Sequence, residues 1–321
     1  MKKIPLLFRP YFKQVIWGGD KICSYKGVEQ PYDKIGESWE ISAIKGHESV
    51  VDAGPYAGRS LPELIDEFGE ELLGGKVMEK YGKEFPLLIK LIDARDDLSV
   101  QVHPDDKLAR ERHSCPGKTE MWYVVSADDD AGIYAGLSKS LDPEEYEKMV
   151  ADGTFMQALA RHESRGGDVF FLPAGRVHAI GGGNLIAEIQ QPSDITYRIY
   201  DFDRRDSNGN TRELHTALAK DAIDYKVYDQ YKTRPVKIDD RLTELVHCEF
   251  FEVDKLAVEG ECELPLSPDT FTIVMCTSGN VRLRYPEGDM ELHQGGTLLL
   301  PAVMTDVKLD GKGDLLVIRP Q

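Results

Sequence analysis

Four side chains of this sequence have the chemistry of ligands for a divalent cation, and their local spacing aims them together. Gln101 and His103 lie two apart in SVQVHPDD, so a strand there carries both on one face, with Ser99 beside them. Strand interiors usually bury apolar side chains on such a face, and a hydroxyl, an amide and an imidazole in a row need a reason. Lys118 and Glu120 are also two apart, at the start of KTEMWYVV. His178 lies in GDVFFLPAGRVHAI. Two imidazoles, one carboxylate and one amide oxygen suit a first-row divalent metal, with Zn²⁺ the first choice and one ion per chain. A single anionic ligand leaves the bound ion with net positive charge, which favours neutral or anionic substrate oxygens. Each residue also has an ordinary alternative. A buried His is often a hydrogen-bonded core residue, Gln101 could satisfy backbone groups, and Glu120 could simply pair with Lys118.

The elements that must position these residues read mostly as short strands. Examples are PLLIKLID, LSVQVHP, EMWYVVS, DVFFLPA, NLIAEIQQ, DITYRIYDF, FTIVMCT, NVRLRY and GTLLLPA, all β-branched or aromatic and punctuated by Gly, Pro, Asn and Asp. The connection PDDKLARERHSCPGK is long enough for the Glu120 strand to return antiparallel beside the Gln101–His103 strand. Helices are expected near 60–82, 142–161 and 212–225. In the first, Leu61, Leu64, Ile65, Phe68 and Leu72 keep helical spacing, and Ser60 with Glu63 forms a capping box. In the second, Asp142 is the N-cap and Pro143 opens the first turn. The polar, proline-containing stretch KTRPVKIDDR marks a boundary, dividing the chain into 1–235 and 236–321.

An internal repeat sharpens the picture. Gly167, Pro173, Gly175 and His178 form a Gly-x5-Pro-x-Gly-x2-His run, and Gly295 with Pro301 repeats its first half, but Val303 and Asp306 replace the second Gly and the His. The run resembles the second cupin motif, a strand–turn–strand that aims its His into a small β-barrel. The expected fold is therefore mainly β, with two cupin-like jelly-roll units and a small helical portion. The first unit binds metal, and the second, degenerate unit is metal-free.

Bulk properties exclude several function classes. The 321 residues carry 39 basic and 56 acidic side chains, a net charge of −17. That field repels polyanions, so neither nucleic acid nor an anionic membrane is an expected partner. An anionic substrate would need local cations. The five cysteines are scattered with no CxxC, which suits a reducing cytoplasm and argues against a disulfide framework. Arg9 interrupts a very short apolar run in MKKIPLLFRPYF, which reads as no signal peptide. No apolar stretch reaches the ~18 residues of a membrane span. A cytoplasmic monomer is expected.

Other polar residues interrupt these strands. Lys90 stands inside LLIKLID, Glu188 inside LIAEI and Arg198 inside ITYRIY. An edge strand with a solvated face is the simple explanation. The functional one points all three into the barrel mouth, where Lys90, Lys118 and Arg198 form a positive patch for an anionic substrate. Gly181–Gly182–Gly183 has no following helix and no Lys-Ser/Thr, so it reads as a hairpin turn and not as a phosphate loop. DRRD (203–206) reads as a solvated charge cluster and DSNGNTR (206–212) as a loop. His113, His162, His215, His247 and His293 lack companions at ligand spacing.

SVQVHPDD, GKTEMWYVV, FFLPAGRVHAIGGG and ITYRIYDFDR, in this order, resemble the type I phosphomannose isomerase family in its short bacterial form, and PYFKQVIWGG and GESWEIS look like the same family. The similarity runs from about residue 5 to about 220. It implies a zinc enzyme that interconverts mannose 6-phosphate and fructose 6-phosphate through an enediol. By position, Gln101, His103, Glu120 and His178 match the family's metal ligands, and Arg198 its active-site arginine. Lys90, Lys118, Ser99 and Glu188 match other pocket positions. Arg198, Lys118 and Glu188 are then the catalytic candidates, with Glu188 and Lys118 the alternatives for the base, and Lys90 and Ser99 bind substrate. Two rival readings are a different cupin metalloenzyme, such as a non-haem iron dioxygenase, and a non-enzymatic sugar-binding cupin.

Overall fold

The computed structural model describes residues 1–205 and 208–321, and its strands assemble into three antiparallel sheets. A seven-stranded sheet runs in the order Lys232–Thr233, Val169–Leu172, Glu120–Ala127, Asn184–Gln190, Leu88–Ala94, Tyr11–Gly19, Ile35–Ile41. A five-stranded sheet runs Tyr197–Tyr200, Val100–Val102, His178–Ile180, Gly132–Leu137, Leu159–Glu163. The strands after residue 235 form a nine-stranded sheet, which also takes in Leu6–Leu7 through pairing with Leu298–Leu299.

The two smaller sheets face each other. Between them lies an apolar cluster that includes Trp17, Ile92, Trp122, Ile133, Phe170 and Ile186. The outer face of the five-stranded sheet packs under the helices Pro143–Ala151 and Thr216–Ala222, burying Val100, Val102, Ala179, Tyr197, Tyr146 and Ala219. Val100 and Val102 thus take the outward positions, and alternation leaves Gln101 to face inward. The outer face of the seven-stranded sheet, with Ile89, Leu91, Ala187 and Ile189, packs against Phe251, Val253, Ile273 and Leu316 of the nine-stranded sheet. Each of these Val, Leu, Ile and Phe side chains contributes roughly 1.5–3 kcal/mol on burial. A separate cluster of Leu256, Val274, Leu283, Leu309 and Val317 fills the nine-stranded unit.

Several expectations need correction. The Gln101–His103 and Glu120 strands are not neighbours: they belong to facing sheets. The connection between them holds a helix, Asp106–His113, capped by Asp105. The first predicted helix keeps its Ser60–Glu63 capping box but ends at Phe68, where Gly69 takes a positive φ. Two short helices, Glu70–Leu73 and Gly75–Tyr81, follow it. The second keeps its Asp142 cap but stops at Ala151, and 159–161 belong to a strand. The third shrinks to Thr216–Ala222. FTIVMCT and NVRLRY form one bent strand, Thr272–Tyr285, because both halves pair with the long strand Lys308–Pro320. Gly181–Gly183 is no hairpin; it carries the chain from one sheet to the other. Gly181 lies there so close to the Gly132 carbonyl that a Cβ would sit 2.4 Å from its oxygen.

Candidate active site

Cross-strand register builds one wall of the site. Across the seven-stranded sheet the direct partners run Tyr11, Trp39, Lys90, Glu188, Trp122, Phe170. Direct partners in an antiparallel pair share a face. Lys90 and Glu188 are therefore not edge residues but neighbours in the sheet centre, and both are buried. Glu188 Oε1 is 3.1 Å from Lys90 Nζ, and Oε2 accepts from Trp122 Nε1 at 2.8 Å. Lys90 lies 5.1 Å from the Trp39 ring centroid, and Glu37 accepts from Trp39 Nε1 at 2.7 Å. Burial opposes the Glu188 carboxylate, but Lys90, Lys118 and the Trp122 N–H outweigh it and hold its pKa down to about 2. The same pairing raises Lys90 against the effect of burial.

The opposite wall supplies the imidazoles. His178 is the direct partner of Gln101 on one side, and Arg198 is its partner on the other. Ligand-type atoms of His103, Glu120 and His178 lie within 4.8 Å of one another, and all three residues are buried. His178 Nε2 is 3.3 Å from Glu120 Oε1, and His103 Nε2 is 3.6 Å from Oε2. Gln101 Nε2 is 3.3 Å from His178 Nε2. Gln101 and His103 thus share the inner face.

The donor set fits a divalent cation. Each imidazole meets a backbone carbonyl through Nδ1, His103 that of Ile195 and His178 that of Arg176, both at 2.8 Å. A carbonyl only accepts, so each Nδ1 carries the proton and each Nε2 keeps a lone pair, which accepts from Lys118 Nζ at 3.2 Å in His103 and from Gln101 Nε2 at 3.3 Å in His178, beside the Glu120 carboxylate. Lys118 Nζ lies 2.8 Å from Glu120 Oε2, yet neither Glu120 oxygen accepts a hydrogen bond of proper geometry. Two buried, unsatisfied carboxylate oxygens facing two imidazole lone pairs call for a cation. Burial pushes the Glu120 carboxyl up to about 7 despite Lys118. Burial, then Lys118, pushes His178 down to about 3, and burial with Lys118 and His178 holds His103 well below the usual imidazole range. Both rings are therefore neutral at physiological pH, as ligation requires.

A cavity of about 360 Å³ adjoins this cluster, and Gln101 and Lys118 stand at the junction of the two. Ser99 lines it and accepts from Arg198 Nε at 3.4 Å, while Arg198 Nη1 donates to the Glu213 carbonyl at 2.9 Å. The predicted positive patch needs correction: the Lys90 charge is shared between Glu188 and Glu37, which is 3.8 Å away. Lys13 also pairs with Glu37 at 3.3 Å, Lys118 with Glu120 and Arg212 with Asp201. Of the five cationic side chains that line the cavity, against the carboxylates Glu37, Glu188 and Asp194, Arg198 is thus the one without an ion pair among the described residues.

Sequence reasoning missed several of these residues. Glu37 and Trp39 were visible as alternating positions in GESWEIS, but nothing local told that their face is the inner one. Arg212 fell in a stretch read as loop; it and Arg204 bind Asp201 from either side. Arg204, read as part of a solvated cluster, also donates to the Asp97 carbonyl and is half-buried. Asp206 of that cluster, and Asp206 and Ser207 of the predicted loop, lie outside the described residues. Among the other histidines, His113 bonds the buried Tyr197 hydroxyl at 2.7 Å, and His215 accepts from Arg198 N. His47, singled out by no pattern, stacks on Tyr11 beside Trp39.

Comparison with known proteins agrees with this geometry. Residues 6–128 match the family model for the phosphomannose isomerase type I catalytic domain, and 241–320 that for the mannose-6-phosphate isomerase cupin domain. The chain is 37% identical to mannose-6-phosphate isomerase ManA of Bacillus subtilis, covering 98% of both chains. It is also 37% identical to a mannose-6-phosphate isomerase of Streptococcus mutans, over 98% of this chain and 97% of that one. The crystal structure of the mannose 6-phosphate isomerase from Bacillus subtilis superposes with a TM-score of 0.89 at 36% identity, covering 98% of this chain and 99% of that one. A mainly β fold, a buried two-histidine, one-carboxylate cluster and full-length similarity at this level agree: the chain belongs to the type I phosphomannose isomerase family.

Proposed function

We propose that this chain is a Zn²⁺-dependent isomerase that interconverts mannose 6-phosphate and fructose 6-phosphate, with Gln101, His103, Glu120 and His178 holding one ion per chain. The observation that carries the reading is the convergence of His103, Glu120 and His178 from two facing sheets beside a polar cavity. Metal identity rests on the donor chemistry of two imidazoles, a carboxylate and an amide. When bound, the ion supplies Lewis acidity toward the sugar's C1–C2 oxygens.

The chain's own residues do the rest. Isomerisation moves one proton between C1 and C2 and another between their oxygens, through an enediol. Arg198, held by Ser99 and the Glu213 carbonyl, presents a fixed cation toward the cavity, where negative charge develops. Glu188 is a poor proton acceptor because Lys90 and Trp122 take both of its oxygens. Lys118 lines the cavity beside the cluster but pairs as an ammonium with Glu120 Oε2 at 2.8 Å. We therefore assign it the carbon-proton transfer on condition that it first gives up its own proton, as a cation held by Glu120 beside it would favour. Ser99, Lys90, Arg198 and Arg212 hold the phosphorylated hexose, with Arg212 braced by Asp201.

The protein is read as a cytoplasmic monomer with a division near residue 235. The scattered free cysteines support the compartment and the net charge of −17 supports the monomer. No helix among the described residues is long and apolar enough to cross a membrane.

A coupled assay with mannose 6-phosphate, run with and without chelator, tests the reading. Chelator-sensitive turnover is expected. No turnover by metal-loaded protein would overturn it. Oxygen uptake with bound iron would point to a dioxygenase, and tight sugar binding without turnover to a binding module.

A further inference from the structure

The second copy of the Gly-x5-Pro run has Asp306 where the first has His178, and its turn is not idle. Gly167, which opens the first copy, has a φ of +91° and open space where a Cβ would stand. Gly295, which opens the second, has a φ of +77°, but a Cβ there would lie 2.7 Å from Lys26 Cγ and 3.2 Å from Tyr25 Cδ1. The two turns share a backbone conformation and differ in what they touch. The second is a seat for the short helix Lys21–Lys26.

Lys26 is the centre of that contact. Its Nζ donates to the Gly295 carbonyl at 2.6 Å and pairs with Glu40 Oε2 at 2.7 Å, the two side chains being 8% and 5% exposed. Glu40 Oε1 accepts from Ser38 Oγ at 2.6 Å. Tyr25 hydroxyl donates to the Thr277 carbonyl, and Gln294 Nε2 to the Tyr25 carbonyl.

Glu40 occupies a particular place in its strand. Trp39 pairs with Lys90 and Ile41 with Ile89, so Glu40 is the extra residue of a β-bulge. Bulges re-aim neighbouring side chains. Here the bulge separates Ile41, packed in the outer core, from Trp39 and Glu37, which line the cavity. We infer that Lys26 is a positioning residue: by tying the Glu40 bulge to the Gly295 turn, it lets the C-terminal unit set the wall formed by Glu37 and Trp39. The inference rests on the cavity being the substrate site only for its kinetic consequence; the positional claim stands alone.

Lys26→Met, with Glu40→Gln as the milder second variant, tests it. Protein labelled with 5-fluorotryptophan gives one fluorine resonance for each of Trp17, Trp39 and Trp122, assigned by single Trp→Phe changes. In folded Lys26→Met the Trp39 resonance is expected to shift or broaden while that of Trp122, on a strand away from the bulge, stays in place. Glu40→Gln should give a smaller change of the same sign. The KM for mannose 6-phosphate should rise roughly tenfold with kcat and Zn²⁺ affinity nearly unchanged. Unchanged Trp39 resonances in both variants would overturn the inference, as would a change spread equally over all three tryptophans. Inactive wild-type protein would count against the isomerase reading alone, because the fluorine spectra still decide the positional claim.

Discussion

Lys90 and Glu188 are direct register partners at the centre of the seven-stranded sheet, their charged ends 3.1 Å apart and both buried. Neither is placed to spend its charge freely. Lys90 answers to Glu188, Glu37 and the Trp39 ring, and Glu188 answers to Lys90 and Trp122.

Removing one partner leaves the other buried and underpaired. Lys90→Met is expected to destabilise the protein by roughly 3–5 kcal/mol, the usual cost of breaking a buried pair. Denaturant unfolding measures it, and a loss below about 1 kcal/mol would show that the pair is solvated in solution.

Acid stability follows from the same pair. The Glu188 carboxyl titrates at about 2 in the fold against an ordinary 4.5. A depressed carboxyl stabilises the fold fully above the unfolded value and loses that contribution as pH falls from 4.5 toward 2. Glu188→Gln should therefore flatten the acid limb of the stability curve. Parallel wild-type and variant curves over that window would contradict the assignment.

Metal uptake should release close to one proton per ion below neutrality. Glu120 titrates at about 7, while burial keeps both imidazoles neutral well below that. Zn²⁺ affinity should then rise about tenfold per pH unit between about pH 5.5 and 7 and level off above. Chelator competition reads the slope; a slope of two or more would mean that an imidazole also gives up a proton.

His178→Ala and Arg198→Ala should separate binding from turnover. The first removes a candidate ligand and should abolish metal retention and activity together. The second leaves the ligand cluster intact and should lower kcat by about 10²-fold, equivalent to roughly 3 kcal/mol. Metal analysis beside steady-state kinetics checks both, and wild-type turnover in Arg198→Ala would remove it from the mechanism.

Gly136→Ala should unfold part of the barrel wall. Gly136 has a φ of +76°, and a Cβ there would sit 1.9 Å from the Tyr231 ring. Tyr231 cannot retreat easily, since its hydroxyl bonds the Leu137 carbonyl. A loss of about 3 kcal/mol or more is expected from strain and overpacking, measured as a fall in denaturation midpoint.

The sequence by itself determined what depends on short-range periodicity and local chemistry. The two-residue spacing of Gln101 and His103 put both on one face, and the outward packing of Val100 and Val102 shows why. The Ser60–Glu63 capping box and the Asp142 N-cap start their helices because each satisfies backbone N–H groups within one turn. Helix ends were less legible: Gly69 stops one helix, and the strand Leu159–Glu163 claims residues that local pattern left to another. Only the tertiary structure decided what lies opposite what. Glu120 reaches His178 across two facing sheets and not along one, and Lys90 meets Glu188 through a register 98 residues apart in sequence. Strand pairing and sheet facing are set by the collective burial of apolar faces, and no short window of sequence contains that information.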